Sequence, residues 1–212
     1  MKILALEFSS AQRSAAVVAD GLVRGMATQM GGRAAHAFHL IEQALGEAQW
    51  EREQIECLAI GLGPGSYTGI RAAIALAQGW QLARGTKILG IGSVECLAAQ
   101  AQEQRYFGKV NIVINAQRNE FYLAGYELGE AVRREVECLR LASLGEVEAK
   151  INAGEMVAGP EVSRWFPSSR ELFPSAAALG QLAVNRNEFV SGEKLEPIYL
   201  RETQFVKTPK RA

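Results

Sequence analysis

Residues 61–71 read Gly-Leu-Gly-Pro-Gly-Ser-Tyr-Thr-Gly-Ile-Arg, and this stretch decides the fold. It follows the apolar run 57–60 and precedes a long alanine-rich segment. This order predicts a strand, a glycine-dense turn and a helix. The glycines around Pro64 allow positive φ and a close approach of the backbone to its neighbours. Ser66 or Thr68 can cap the helix, whose first N–H groups would then suit an anion.

The residues alone leave two interpretations of this turn open. It is not a Walker A loop, because no Gly-Lys-Ser/Thr follows, and the Gly-x-Gly-x-x-Gly dinucleotide fingerprint fails at Thr68. The turn is therefore either a tight connection or an anion site with weak nucleotide binding. The residues of that second interpretation are Glu7, Gly63, Gly65, Ser66 and Thr68.

The full wording of the loop, with Ala-Gln-Gly at 77–79, resembles the signature of the bacterial TsaB (YeaZ) family. Further blocks match the family in the right order. They are Met-Lys-Ile-Leu-Ala-Leu-Glu-Phe-Ser-Ser at 1–10, Ile-Leu-Gly-Ile-Gly-Ser-Val-Glu-Cys-Leu at 88–97, Val-Ile-Asn-Ala-Gln-Arg-Asn-Glu-Phe-Tyr at 113–122 and Glu-Pro-Ile-Tyr-Leu-Arg at 196–201. Proteins of this family take part in the threonylcarbamoyladenosine modification of tRNA and were once labelled glycoprotease-like (peptidase M22-like).

The order of elements indicates an α/β chain with the actin-like ATPase, or ribonuclease-H-like, fold. Hydrophobic patterns predict strands at 3–8, 14–19 and 22–29, a helix at 33–48, a strand at 57–61 and a helix at 68–84. A strand at 88–91 and a helix at 94–101 complete an N-terminal domain that we place at 1–103.

The second half carries fewer patterns, and we place a smaller C-terminal subdomain at 104–212. Strands are predicted at 110–115, 121–126, 132–139 and 155–158, and a helix at 176–185. The resemblance implies that this subdomain is a reduced second copy of the first, each with a mixed sheet.

Charge and cysteine content set limits on partners and location. Lys+Arg and Asp+Glu each total 23, so no net field attracts nucleic acid. The basic tail at 207–211 is either a solvated end or a tRNA contact. Cys57, Cys96 and Cys138 are widely spaced, which predicts reduced, buried thiols in a cytoplasmic protein. No apolar run approaches transmembrane length, so no membrane contact is expected.

The strand ends lack the carboxylates of an actin-like phosphotransferase, which hold Mg²⁺–ATP. The only aspartate, Asp20, lies in a predicted hairpin turn. Glu7 stands where the family usually has Asp, and Asn115 stands where a second strand-end Asp would be expected. We expect Glu7 to accept hydrogen bonds from backbone N–H groups rather than to touch a cation through water. No catalytic residue and no required cofactor are predicted.

Metal and protease chemistry are not expected either. The related catalytic subunit TsaD carries a His-x-x-x-His pair, and the matching positions here are Ser93 and Leu97. The two histidines, His36 and His39, lie one turn apart on the first helix and make a poor zinc set without a third ligand. Neither has an acid placed to form a protease triad.

Small residues recur along the helix predicted at 68–84, whose more apolar positions are Ile70, Ile74, Ala77 and Trp80. Glycine inside a helix costs about 1 kcal/mol relative to alanine, so Gly79 indicates close approach of another helix. This stripe packs either on the chain's own sheet or on a second protomer. The predicted interface residues are His36, Leu40, Ala72, Ala75, Gly79 and Ala83.

The resemblance implies a non-catalytic scaffold that pairs with TsaD through its first domain, with TsaE and tRNA joining through the complex. Alone, the chain is expected to form a homodimer. One alternative is an ATPase or phosphotransferase of the actin-like fold that uses Glu7 and the glycine loop. Another is a divergent paralogue outside the tRNA pathway, since Glu7, Asn115 and Gln117 depart from the family pattern.

Overall fold

The computed structural model describes residues 1–31 and 37–200, which build two mixed five-stranded sheets. The first sheet contains β1 (Ile3–Glu7), β2 (Gln12–Ala19), β3 (Leu22–Met30), β4 (Cys57–Gly61) and β5 (Lys87–Ile91). Its order is β3-β2-β1-β4-β5, with the first three strands antiparallel and β1, β4 and β5 parallel. The helices of this half are α1 (Ala37–Ala48), α2 (Tyr67–Arg84) and α3 (Ser93–Glu103).

The second sheet repeats this strand order, with shorter strands only at its parallel end. It contains β6 (Gly108–Asn115), β7 (Glu120–Leu128), β8 (Arg133–Ser143), β9 (Met156–Gly159) and β10 (Arg170–Glu171), with α4 (Leu144–Asn152) between β8 and β9. Its order is β8-β7-β6-β9-β10, again with three antiparallel strands followed by parallel ones. In the described part of the second half, a 3-10 turn at Val162–Arg164 and the two-residue strand β10 follow β9, whereas α2 and β5 follow β4 in the first half. The predicted α/β fold with a reduced second copy is confirmed.

Strand β1 lies in the middle of the first sheet and is buried on both faces. Successive side chains of a strand point to opposite faces. Leu4 and Leu6 therefore join the core that α1 and α2 cover, whereas Ile3 and Ala5 pack against the helix α5 (Ala176–Ala183). The sheet thus has helices on both sides, and β1 ends at Glu7 in the centre of the molecule.

The chain returns to the first sheet after β10, while the division into 1–103 and 104–212 stays a prediction. Helix α5 packs on β1 and β2 because its buried alanines and Leu179 complete the apolar face of that sheet. Residues 189–200 then run along β5 and α2, where Leu195 enters the first core. The first sheet's core therefore needs residues from both ends of the sequence.

Three further expectations need correction or limits. Helix α4 was not predicted, although Ser143 and Glu146 form a capping box at its start. Cys57 and Cys96 are buried as expected, but the prediction is wrong for Cys138, which is exposed on the edge strand β8. The predicted helix start at residue 33 lies outside the described residues, and α1 is described from Ala37.

Within residues 1–31 and 37–200, no helix is both long enough and apolar enough to cross a membrane.

Candidate functional site

Glu7 ends β1 as a fully buried carboxyl group. As predicted, it accepts a hydrogen bond from a backbone N–H, that of Ser9, with 2.8 Å between nitrogen and Oε1. Its other oxygen, Oε2, accepts from the hydroxyl of Ser93 at 2.8 Å, which the sequence did not predict. Burial raises the pKa of Glu7, and the hydrogen bonds from Ser9 and Ser93 offset part of that effect.

Ser93 connects this carboxyl group to the glycine-rich turn. Its Oγ accepts the N–H of Gly63 at 3.1 Å, and its own N–H donates to the carbonyl oxygen of Gly63 at 2.8 Å. A side chain at Gly61 would place its Cβ 2.1 Å from Oε2 of Glu7. The long acid therefore fits because β4 ends in glycine, and both of its oxygens are used by the fold itself.

The glycine-rich turn lies directly against the end of β1. A Cβ at Gly65 would come within 2.0 Å of the carbonyl oxygen of Ser9, and a Cβ at Gly69 within 1.9 Å of that of Phe8. The N–H of Ser66 donates to the same Ser9 oxygen at 2.6 Å, and its Oγ caps α2 by accepting the N–H of Gly69 at 3.3 Å. Gly65 and Gly69 are therefore glycine because the backbone packs so closely on the end of β1 that no side chain fits.

The remaining residues of the anion-site interpretation lie at the same turn. Gly63 has a φ of 85°, within a cis Gly63–Pro64 connection, and Thr68 is exposed in the first turn of α2. Ser66 rather than Thr68 is the capping residue. Anion binding at this turn stays a prediction.

A cleft of about 1280 Å³ is lined by residues from both halves of the chain. The first half contributes Ser9, Ser10 and Arg13, and the second half contributes Asn115 and Arg118. At the strand end, Oδ1 of Asn115 accepts the N–H of the second residue after it at 2.7 Å, so this amide shapes the turn that follows β6.

The turn after β6 has an unusual backbone. Gln117, Arg118 and Asn119 have φ values of 67°, 56° and 60°, so three consecutive residues with side chains adopt the left-handed region. Each such residue costs free energy relative to the right-handed region, and such outliers often lie at functional sites. Two of the three, Gln117 and Arg118, line the cleft.

The segment 189–200 packs against the glycine-rich turn and α2. The N–H of Ile198 donates to the carbonyl oxygen of Leu62 at 2.9 Å, and the N–H of Gly192 donates to Oε1 of Gln81 at 2.7 Å. Tyr199 stacks on Tyr67 of α2, with 5.4 Å between ring centroids. Sequence reasoning matched residues 196–201 to a family block but did not predict these contacts.

The small-residue stripe of α2 faces away from the chain's own core. Ala75, Gly79 and Ala83 are exposed and Ala72 is half-buried, whereas Ile70, Ile74 and Ala77 are buried. A Cβ at Gly79 would meet no described residue within 4 Å, and the neighbouring Leu82 is 90% exposed. Packing on the chain's own sheet therefore does not account for the stripe.

The two interface residues predicted on the first helix have different outcomes. Leu40 is 1% exposed and belongs to the core under α1, so its side chain offers no surface to a partner. His36 lies outside the described residues, as does the basic tail. His39 is exposed on α1, and the described residues contain no group of three side chains suited to hold a metal ion.

Comparison with known proteins adds names to this architecture. The family model described as "TsaD: tRNA N6-adenosine threonylcarbamoyltransferase" matches residues 34–200. The "tRNA threonylcarbamoyladenosine biosynthesis protein TsaB" of Escherichia coli K12 is 25% identical, over 95% of each chain. The Haemophilus influenzae protein of the same name is 24% identical, over 81% of each chain.

A solved structure from Pseudomonas aeruginosa, described as an uncharacterized protein with similarity to peptidase YEAZ, has the same fold. It superposes with a TM-score of 0.79 at 25% identity, over 94% of this chain and 99% of that one. The family model and these relatives are all named for the threonylcarbamoyl modification of tRNA, and the solved structure shares the fold of this chain. The chain belongs to the family that the TsaD model describes, and within it resembles the members named TsaB or YeaZ over nearly its whole length.

Proposed function

We propose that this chain is the non-catalytic accessory subunit of the machinery that makes threonylcarbamoyladenosine in tRNA. It works in the cytoplasm, pairs with a TsaD subunit that carries out the transfer, and meets TsaE and tRNA through that complex. The family model and the names of the TsaB relatives support the pathway. Alone, the chain forms a homodimer through the exposed small-residue face of α2, which is also the surface that pairs with TsaD.

The exposed small-residue face of α2 is the observation that carries this proposal. Among residues 1–31 and 37–200, no neighbour of Gly79 requires glycine, although glycine lowers helix stability. Alanine and glycine at three- and four-residue steps let a second helix approach closely. With Ala75, Ala83 and the exposed Leu82, this face suits a helix of a partner.

The strand ends support an accessory rather than a catalytic role. Both oxygens of Glu7 are occupied by Ser9 and Ser93, and Oδ1 of Asn115 holds its own turn. These groups stabilise the fold at the positions where an actin-like phosphotransferase binds its metal and nucleotide. The chemistry is therefore assigned to the partner subunit.

Mass spectrometry of tRNA nucleosides from cells depleted of this protein tests the pathway. Wild-type protein should restore threonylcarbamoyladenosine, and Ala75→Glu and Gly79→Glu should not. Gly145→Glu and Ala149→Glu are matched controls, because both sites are exposed on α4 and the glycine there also has open space around it. Full modification without the protein would contradict the proposal.

Light scattering tests the surface separately from the pathway. The two α2 variants should lower the mass of the free protein and of its mixture with TsaD, while the α4 variants leave both masses unchanged. Calorimetry with Mg²⁺–ATP addresses the alternative enzyme, since tight binding followed by hydrolysis would favour an actin-like ATPase.

A further inference from the structure

Two tyrosines and an arginine form an aromatic platform at the cleft. Tyr67 and Tyr199 stack at 5.4 Å with 24° between ring planes, and both line the cleft. The guanidinium of Arg71 lies 5.0 Å from the ring centroid of Tyr67 and donates a hydrogen bond to its hydroxyl. Tyr67 is 54% exposed and Tyr199 39%, so ring surface remains available to a ligand. Exposed aromatic rings beside arginine are the elements of a stacking site for nucleobases.

The cleft beyond this platform carries positive charge from both halves of the chain. Arg13 comes from β2 and Arg118 from the left-handed turn after β6, and neither forms an ion pair within the described residues. Among the described residues, the acids that line the cleft are Glu120 and Glu161. Glu161 is paired with Arg164 at 2.8 Å, and Glu120 is also engaged in an interaction.

Hydroxyl groups add further hydrogen-bonding capacity. Ser10 and Ser66 both line the cleft. The hydroxyl of Ser10 donates to the carbonyl oxygen of Gln12 at 2.8 Å, whereas that of Ser66 accepts the N–H of Gly69 and keeps its own hydrogen for a ligand. The Ser66 hydroxyl and the arginines can contact phosphate oxygens, while a base stacks at the aromatic platform.

We propose that this cleft binds an unpaired segment of RNA, with a base stacked on the Tyr67–Tyr199 platform and the neighbouring phosphates directed toward Arg13 and Arg118. The inference rests on the proposed function, which brings a tRNA to the complex. It names a contact surface for that tRNA on the accessory chain itself.

The dimensions favour an RNA segment over a free nucleotide. The cleft volume of about 1280 Å³ exceeds the range of roughly 300–1,000 Å³ typical of small-molecule pockets. The arginines stand on both halves, and the platform is exposed rather than enclosed, as in sites that follow a strand without reading its sequence. A free nucleotide shares the same base and phosphate chemistry, so the test must separate the two sources.

Fluorescence anisotropy with a labelled, unstructured RNA hexamer and the full chain provides that test. Tyr199→Ala should weaken binding about fivefold or more, the lower end of the effect of losing one stacked base. Arg118→Ala should weaken binding too, because it removes a positive charge from the phosphates. Arg118→Ala should also reduce the log–log salt dependence by about 0.7. Tyr199→Phe, which keeps the ring, and Arg134→Ala, an exposed arginine of β8 away from the cleft, should bind as the wild type does.

Three outcomes would overturn the inference. The first is a Kd for the hexamer that is weaker than about 1 mM, and the second is equal binding by all variants. The third is that AMP or ATP displaces the hexamer when present at the same concentration. Thermal unfolding of each variant shows whether Tyr199→Ala has loosened the segment 189–200, and Arg118→Ala tests the cleft without touching that segment. Hexamer binding needs no TsaD, so its loss and a failure of the proposed function are distinguishable.

Discussion

The hydroxyl of Ser93 donates to Oε2 of Glu7 at 2.8 Å and so joins the first residue of α3 to the end of β1. The hydroxyl oxygen of Ser93 also accepts the N–H of Gly63 at 3.1 Å. One small side chain thereby satisfies a buried carboxyl group and a buried backbone donor. Buried groups of both kinds are costly when left without a partner.

Ser93→Ala should therefore destabilise the chain strongly. It removes a donor from the buried Glu7 and an acceptor from Gly63, and each unmade bond costs about 1–3 kcal/mol. We expect the free energy of unfolding in urea to fall by about 2 kcal/mol or more. Ser168→Ala, at an exposed site, is the control and should change it by less than about 0.5 kcal/mol. Equal effects of the two substitutions would contradict this account.

The stability contributed by Glu7 should decrease as the pH rises. Burial raises the pKa of Glu7 in the folded chain above its ordinary value of 4.5. The folded chain then binds this proton more tightly than the unfolded chain, so stability falls from about pH 4.5 up through the raised pKa. Relative to Glu7→Gln, the wild type should lose stability over that window in urea titrations at a series of pH values. A constant difference between the two proteins would refute the burial effect.

Glu146 should show the opposite dependence. The N–H and hydroxyl of Ser143, together with the guanidinium of Arg140, lower the pKa of Glu146 to about 2. Its contribution is fully present above the ordinary value of 4.5 and is lost as the pH falls toward about 2. The stability difference between wild type and Glu146→Gln should shrink over this range. A stability difference that stays constant over this range would contradict the account.

Local patterns were sufficient for most of the first half of the fold. Strand β4 was predicted at 57–61 and is found at Cys57–Gly61, because a buried apolar run that ends in a glycine-rich turn has few alternatives. The hairpin between β2 and β3 was equally clear, since Asp20 and Gly21 adopt the positive φ values that such a turn needs. In the second half, α4 and β10 are too short to give a strong period.

The site was harder to predict because its contacts join distant parts of the chain. The Ser93–Glu7 bond and the Tyr67–Tyr199 stack depend on how whole elements are placed, which spacing in the sequence does not encode. The hydrogen bond from the N–H of Ile198 to the carbonyl oxygen of Leu62 uses only backbone atoms, so the residue types at these positions do not predict it. The stripe of small residues on α2 was visible in the sequence. Whether it faces the chain's own sheet or the surface follows only from which other residues of α2 are buried.

Gly69→Ala should destabilise the chain even though alanine is the better helix former. Its Cβ would lie 1.9 Å from the carbonyl oxygen of Phe8, and neither backbone can move without disturbing β1. Forcing a methyl group into packed surroundings typically costs about 1–3 kcal/mol. Gly145→Ala, with open space around it on α4, should instead stabilise by up to about 1 kcal/mol. Thermal or urea unfolding would show whether the signs differ; equal signs would contradict the packing account.

Gly79→Ala separates the stability of the chain from its association. No atom of the described part of the chain lies within 4 Å of the added methyl group, so the free chain should gain up to about 1 kcal/mol, as in Gly145→Ala. If a partner helix approaches at this glycine, the same methyl group should weaken association about tenfold, which corresponds to about 1.4 kcal/mol. Sedimentation of the free chain and of its mixture with TsaD measures this effect, with Gly145→Ala as the matched control. Greater stability together with unchanged association would remove Gly79 from the interface and leave its presence in α2 without a role in partner binding.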